Sequence, residues 1–168
     1  MKIYKSLLLG VVGFVFVLLL GQPSAGGEDF PLSIKSWQAT LTRLEGVNTS
    51  KALAVGQVRY QNAREYCERD PGGITTRYGG KLSQEQCIQD VLRQEQGKLY
   101  SLSADCPRKI LLSHIGSFTL LGQSSGQGFT QNLWRHNVTG QILDGSNASG
   151  APLLDAQFQL LCPAFMKP

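Results

Sequence analysis

The stretch YCERDPGGITTRYGGKLSQEQC, Tyr66–Cys87, has a cysteine near its start and another at its end, with two glycine pairs and a lysine between them. It suggests a metal loop, a phosphate-binding loop or a disulfide-stapled link. A phosphate loop of the G-x-x-x-x-G-K-[ST] type is excluded, because Thr75 replaces the first glycine and Leu82 follows the lysine. A metal loop needs close pairs such as C-x-x-C, which the sequence lacks. The stretch therefore predicts a Cys67–Cys87 disulfide between two helices.

Helix signals flank this stretch on both sides. Downstream, Ser83 followed by Gln86 is the pattern of a capping box, and Gly97 is a typical helix stop. Upstream, Ser50 is a candidate N-cap for a helix that Pro71 ends. These signals predict two helices that the disulfide joins into a hairpin.

The segment SIKSWQATLTRLEG, residues 33–46, places Ile34, Trp37, Leu41 and Leu44 near one helical face. It predicts a further helix, although the alternation of Trp37, Ala39 and Leu41 leaves a strand open.

Beyond Gly97 the pattern changes to short alternating runs, which predict an antiparallel meander of four or five strands. The runs are KLYSLSADC, KILLSH, SFTLLGQ, GFTQNLWRH and GQIL. The last segment, PLLDAQFQLLCP, predicts a helix that Pro163 ends. The expected fold is therefore α+β: N-terminal helices forming a disulfide-stapled hairpin, then a small antiparallel β-meander, then a C-terminal helix.

All four cysteines follow the N-terminal segment, and an even count in an exported chain predicts two disulfides. Four cysteines allow three pairings. We predict Cys67–Cys87 and Cys106–Cys162, the pairing that joins neighbours in the sequence and divides the chain into a front and a back half.

The N-terminus has the layout of a secretory signal. Lys2 and Lys5 precede an uncharged apolar run, 7–20, which ends in small residues. We predict a signal peptide over 1–26, cleaved after Ala25 or Gly26, and a single domain over 27–168. The run is shorter than the roughly 20 residues of a membrane-spanning helix, although an uncleaved anchor is the alternative.

Charge excludes some partners. The chain has 16 Lys and Arg against 12 Asp and Glu, and loss of Lys2 and Lys5 with the signal lowers the net charge from +4 to +2. The remaining basic residues are scattered among acids, so a nucleic-acid partner is not expected. A membrane is expected only through the signal segment, if that segment stays uncleaved.

The sequence shows no catalytic, metal or cofactor motif. The only two histidines, His114 and His136, lack metal-ligand spacing, and no serine stands in a nucleophile elbow. The enzyme alternative is a small exported hydrolase that uses His114 or His136 with Asp105 or Asp144.

A contact surface is predicted at Trp134, Arg135 and His136. In the run FTQNLWR, strand alternation sends Phe129 and Leu133 to one face and Trp134 to the other. A solvent-facing tryptophan beside an arginine is typical of binding surfaces.

Several segments are similar to a group of small, uncharacterised exported proteins of Gram-negative bacteria that share a four-cysteine framework. The segments are AREYCERDPGG, YGGKLSQEQCIQDVLRQEQGK, ADCP and FQLLCP, and the resemblance spans about Ala63 to Pro163. It implies a periplasmic or secreted location and no known activity. The expected function is a non-catalytic binding or envelope-associated module whose partner is an unknown protein or envelope component.

Overall fold

The computed structural model describes residues 29–33, 37–126, 129–144 and 149–166. The predicted signal peptide lies outside these ranges. Within them the chain forms eight strands and three α-helices: β1 (Asp29–Pro31), β2 (Gln38–Glu45), β3 (Ala52–Gln57), α1 (Tyr60–Arg69), α2 (Gln84–Glu95), β4 (Tyr100–Asp105), β5 (Ile110–Ser113), β6 (Gly116–Gly126), β7 (Phe129–His136), β8 (Ile142–Leu143) and α3 (Ala151–Leu161). None of the helices in these ranges combines the length and the hydrophobicity needed to cross a bilayer.

The predicted fold class is wrong. The described chain begins with strands β1 to β3, and α1 and α2 are inserted between β3 and β4. All eight described strands form one antiparallel sheet, in the order of the sequence. The segment 33–46, predicted as a helix, contributes β2, because Ala39 takes a buried place in the sheet. The helix predicted from Ser50 is instead β3 followed by α1.

The alternation of small residues explains β3. Ala52, Ala54 and Gly56 are buried on one face of the strand, and the residues between them are half-buried. The ring of Phe30 in β1 covers Gly56 so closely that a Cβ there would lie 2.3 Å from the ring. Glycine is therefore required at position 56, because the ring of Phe30 leaves no room for a side chain there.

The sheet curls around α3. Asp155 and Gln157 are two residues apart in α3 and so point to opposite sides of the helix. Asp155 accepts a hydrogen bond from the Trp134 indole in β7, and Gln157 donates one to the Pro31 carbonyl in β1. In a flat sheet those strands would lie about 29 Å apart, whereas a helix with its side chains is about 10–12 Å wide. Strands near both edges can bond the same turn of α3 only if the sheet wraps it.

The core lies between α3 and the inner face of the sheet. Leu154, Phe158 and Leu161 of α3 are fully buried, as is Trp134 of β7. Trp134 and Phe158 pack edge to face with ring centroids 5.6 Å apart. Gly150 is the N-cap of the helix, and a proline lies in the first turn, where it favours a helix start.

Both disulfides have the predicted pairing. Cys67–Cys87 joins α1 to α2, and Cys106–Cys162 joins the end of β4 to the end of α3. The two bonds are compatible with an oxidising location outside the cytoplasm. Each holds a helix in place: the first stabilises the inserted pair, and the second fixes the helix that fills the curled sheet.

Candidate ligand-binding cleft

A cleft of about 360 Å³ opens where α1 and α2 meet the chain entering β2. Its size falls within the range of small-ligand sites. The described residues that line it are Ser33, Trp37, Tyr66, Pro71, Gly72, Val91, Gln94 and Glu95. They come from both inserted helices, from the link between those helices and from the segment between β1 and β2, so the cleft exists only in the folded chain.

The link between α1 and α2 forms one lip of the cleft. Asp70 ends α1 in the left-handed conformation, and its carboxylate accepts hydrogen bonds from the backbone N–H groups of Ile74 and Thr75, both at 2.8 Å. It also accepts one from the Thr75 hydroxyl at 2.7 Å. Burial would raise the pKa of Asp70, but these bonds, with a further one from the Gly73 N–H, lower it below its ordinary value.

Two features of α2 fix the opposite wall. The predicted capping box is present: the Ser83 hydroxyl accepts the Gln86 N–H at 3.2 Å, and the Gln86 side chain accepts the Ser83 N–H at 2.8 Å. The disulfide then holds Cys87 against Cys67, the neighbour of Tyr66 in the sequence. The cap and the disulfide together position Val91 and Glu95 further along α2.

Aromatic rings form the back of the cleft. Trp37 and Tyr66 pack edge to face, with centroids 4.8 Å apart and ring planes at 77°. The hydroxyl of Tyr100, at the start of β4, interacts with the Trp37 side chain, which lowers the pKa of the phenol and offsets part of the effects that raise it. That hydroxyl donates in turn to Glu95 Oε2 at 2.5 Å. The contact with Tyr66 therefore orients Trp37, and the hydrogen bond from Tyr100 orients Glu95.

Glu95 provides the charge of the cleft. Its side chain is 11% exposed, and Oε1 accepts a hydrogen bond from Lys98 Nζ at 3.0 Å. Among the described lining residues no lysine or arginine is present. Burial, together with the hydrogen bond to Glu95 and its charge, raises the pKa of Tyr100 to about 12, so the phenol stays protonated at neutral pH.

His114 lies behind Tyr100, with the two rings edge to face and centroids 6.2 Å apart. Burial lowers the pKa of His114, and a hydrogen bond to the Leu32 carbonyl offsets part of this effect. The burial of His114 therefore favours the neutral imidazole. It supports the aromatic wall from behind and is not among the residues that line the cleft.

The predicted contact surface does not contain an exposed tryptophan. Trp134 is fully buried, and its indole N–H donates to Asp155 at 2.8 Å. Arg135 is exposed and His136 is half-buried. Side chains alternate along β7 as predicted. However, α3 covers the face that carries Trp134, so the face predicted to be exposed is the buried one. The side chain of Phe129, the other residue in that argument, lies outside the described part of the structure.

In the described structure, His114 is separated from Asp105 and His136 from Asp144, two of the residue pairs of the hydrolase alternative. His114 and Asp105 lie beyond opposite ends of β5, and Asp105 pairs with Arg108 at 3.5 Å. The His136 Nδ1 accepts the N–H groups of Val138 and Thr139, as in an ordinary turn. Asp144 follows β8, whose Leu143 pairs with Trp134, so the carboxylate lies away from the His136 end of β7. The described ranges contain no group of three or more His, Cys, Asp or Glu side chains that could hold a metal.

The residues that line the cleft or support its wall were not predicted from the sequence as a site. Trp37, Tyr66, Glu95 and Tyr100 belong to four separate segments, and no short motif links them. One local signal was present, because Glu95 is the last residue of α2, where the helix dipole disfavours an acid. A residue that breaks a local rule in this way is a candidate functional residue.

The fold and the cleft define a disulfide-stapled protein in which a curled antiparallel sheet encloses one helix and carries a helical pair beside an aromatic site. Comparison with protein-family models, with curated proteins and with solved structures found no match. The resemblance to exported four-cysteine proteins therefore stays a prediction.

Proposed function

We propose that the protein is an exported, non-catalytic binding module and that the cleft between α1, α2 and the start of β2 is its ligand site. The observation that carries the proposal is the aromatic corner of Trp37 and Tyr66 beside the carboxylate of Glu95, in a cleft of ligand size. Ligand pockets combine apolar and aromatic walls with a few placed polar groups in this way.

The state of the ionisable groups favours binding over catalysis. Tyr100 has a pKa of about 12, and its proton is directed at Glu95. A general base works best with a pKa near the operating pH, so this phenol is poorly suited to proton transfer. Glu95 is held by both Tyr100 and Lys98. The network orients the wall of the cleft, as expected for a preformed binding site.

Export is supported by the signal-like N-terminus and by two disulfides, which persist in oxidising compartments. Intact-mass analysis of protein from the envelope or medium of the producing cell tests it. The mass should lack about the first 25 residues, within the usual signal length. A full-length mass in the membrane fraction would contradict cleavage and support an anchor.

Ligand binding can be tested because the chain has only two tryptophans, one in the cleft and one in the core. A small-fragment library is added to the oxidised, ¹⁵N-labelled protein, and both indole N–H signals are followed by NMR. Fragments that bind the cleft should shift the Trp37 signal and leave the Trp134 signal in place. A Trp37→Phe variant assigns the two signals. A library that moves neither signal, or only that of Trp134, would refute the proposed site.

A further inference from the structure

We propose that the cleft selects an organic ammonium ion, a ligand with a cationic nitrogen on a small apolar body. This inference rests on the proposed function, because it names the ligand class of the same cleft. The class is set by two features that occur side by side, the aromatic corner and the carboxylate.

The first feature is the geometry of the corner. The Trp37 and Tyr66 ring planes meet at 77°. Aromatic faces carry the negative part of the ring quadrupole, and tryptophan attracts cations most strongly. Recognition of quaternary ammonium groups by several aromatic rings is a known use of this attraction. Pro71 and Val91 extend the apolar wall next to the corner.

The second feature is the charge of the cleft. Glu95 is the only charged group among its described lining residues. A carboxylate offers about four acceptor positions, and the bonds from Tyr100 and Lys98 use two of them. The Lys98 ammonium is about half exposed and lies outside the lining residues. None of the described lining residues would attract an anionic ligand, and Lys98, 3.0 Å from the carboxylate, is already paired with it.

The cleft is also held in shape before a ligand arrives. The Cys67–Cys87 disulfide joins its two helices, the contact between Trp37 and Tyr66 orients the aromatic corner, and the hydrogen bond from Tyr100 orients the carboxylate of Glu95. A rigid corner loses little conformational entropy on binding, which favours affinity for a compact ligand.

The test compares two compounds of nearly the same shape. Choline carries a trimethylammonium group, and 3,3-dimethyl-1-butanol carries an uncharged tert-butyl group in its place. Each is titrated into the oxidised protein while the Trp37 and Trp134 indole signals are followed by NMR. We expect choline to bind about tenfold more tightly than the alcohol, the size of a partly desolvated cation–π contact. Its affinity should fall as the salt concentration rises.

Variants separate the charge of Glu95 from the charge of the whole protein. Glu95→Gln keeps an acceptor for Tyr100 and removes the charge, so it should weaken choline binding about tenfold and change binding of the alcohol little. Glu85→Gln removes an equal charge from the exposed first turn of the same helix, outside the cleft, and should change neither affinity. Circular dichroism checks that both variants are folded, and the comparison of the two compounds on the unmodified protein needs no variant.

The outcomes distinguish this inference from the function on which it rests. Equal affinity for choline and the alcohol, or tighter binding of the anion 3,3-dimethylbutanoate, would overturn the ammonium proposal and leave a ligand-binding cleft. A loss of choline binding in Glu85→Gln equal to that in Glu95→Gln would also overturn it, since the effect would then be one of net charge. If neither these compounds nor the fragment library shifts Trp37, both proposals fail.

Discussion

Trp134 connects the last long strand of the sheet to the helix that the sheet encloses. Its ring packs on Phe158, its N–H bonds Asp155, and none of its surface is exposed. We expect Trp134→Ala to lower the free energy of unfolding by about 3–5 kcal/mol, because the truncation opens a cavity and leaves Asp155 without its indole donor.

Urea unfolding of the variant measures this loss. Arg135→Ala, at the next and exposed position, is the control and should stay within about 0.5 kcal/mol of the unmodified protein. A similarly small loss for Trp134→Ala would contradict the packing of α3 against β7.

The raised pKa of Asp155 should make the free energy of unfolding depend on pH. Burial raises its pKa above the ordinary 3.8, and the bonds from Trp134 and Asn132 offset part of that effect. Between pH 3.8 and the raised pKa, the folded state binds more protons than the unfolded state, so this group's contribution to stability falls as the pH rises through that window.

Asp155→Asn removes the titration while its amide oxygen still accepts from Trp134. The stability difference, unmodified protein minus variant, should therefore be more favourable at pH 3.5 than at pH 7. Urea melts at several pH values give this difference, and a value that stays constant over that range would show that burial does not shift Asp155.

At the scale of elements, the link between α1 and α2 has room for an added side chain at Gly72 but not at Gly80. A Cβ on Gly80 would lie 2.1 Å from the carbonyl carbon and oxygen of Ile74, whereas one on Gly72 would meet only the Ile74 side chain at 3.6 Å. Gly80→Ala should destabilise the protein by about 1–3 kcal/mol, as overpacking does. Gly72→Ala should be neutral or slightly stabilising, because alanine restricts the unfolded chain.

Thermal melts of the two variants compare the same chemical change eight residues apart. Equal melting temperatures would mean that the link does not hold the described conformation. Because Gly72 also lines the cleft, its variant shows in addition whether the lip accepts a methyl group without loss of ligand binding.

The elements that the sequence predicted correctly depend on local signals. The start of α2 follows from Ser83 and Gln86, which bond each other's backbone within one turn, and the C-terminal helix follows from a continuous apolar stripe. The segment that forms β2 was misassigned because its apolar residues fit both periods. The segment is a strand because it pairs with β3. The orientation of Trp134 depends on α3, about twenty residues further on, and cannot be read from alternation within β7.

The cleft was beyond sequence reasoning for a related reason. Trp37 and Tyr100 are 63 positions apart in the chain, and they come close because β2 and β4 both pair with β3. A site assembled from residues so distant leaves no spacing pattern. Only the acid at the end of α2 marked the region as unusual.

At the scale of the whole molecule, the two disulfides should contribute unequally. Cys106–Cys162 closes a loop with a sequence separation of 56, and Cys67–Cys87 one of 20. The chain-entropy relation gives about 4 and about 3 kcal/mol for these lengths. We expect Cys106→Ala/Cys162→Ala to be the less stable of the two double variants.

Urea unfolding of both double variants tests that order. The two should also differ in function, since loss of Cys67–Cys87 loosens the cleft walls and should weaken ligand binding more than loss of the other bond. The opposite order of stability would mean that native-state packing around the disulfides outweighs loop length.

The position of α3 after all eight described strands affects when the sheet can close its core. Strands β1 to β8 can all leave the ribosome before the helix that they enclose has been completed, and until then Leu102, Leu111 and Trp134 have no cover. Domains generally fold as units during synthesis. This sheet lacks its central helix until all eight described strands have been synthesised, so its core cannot close before α3 follows. An open chain is the form that a secretion channel can thread, so this order of elements would suit the export proposed above.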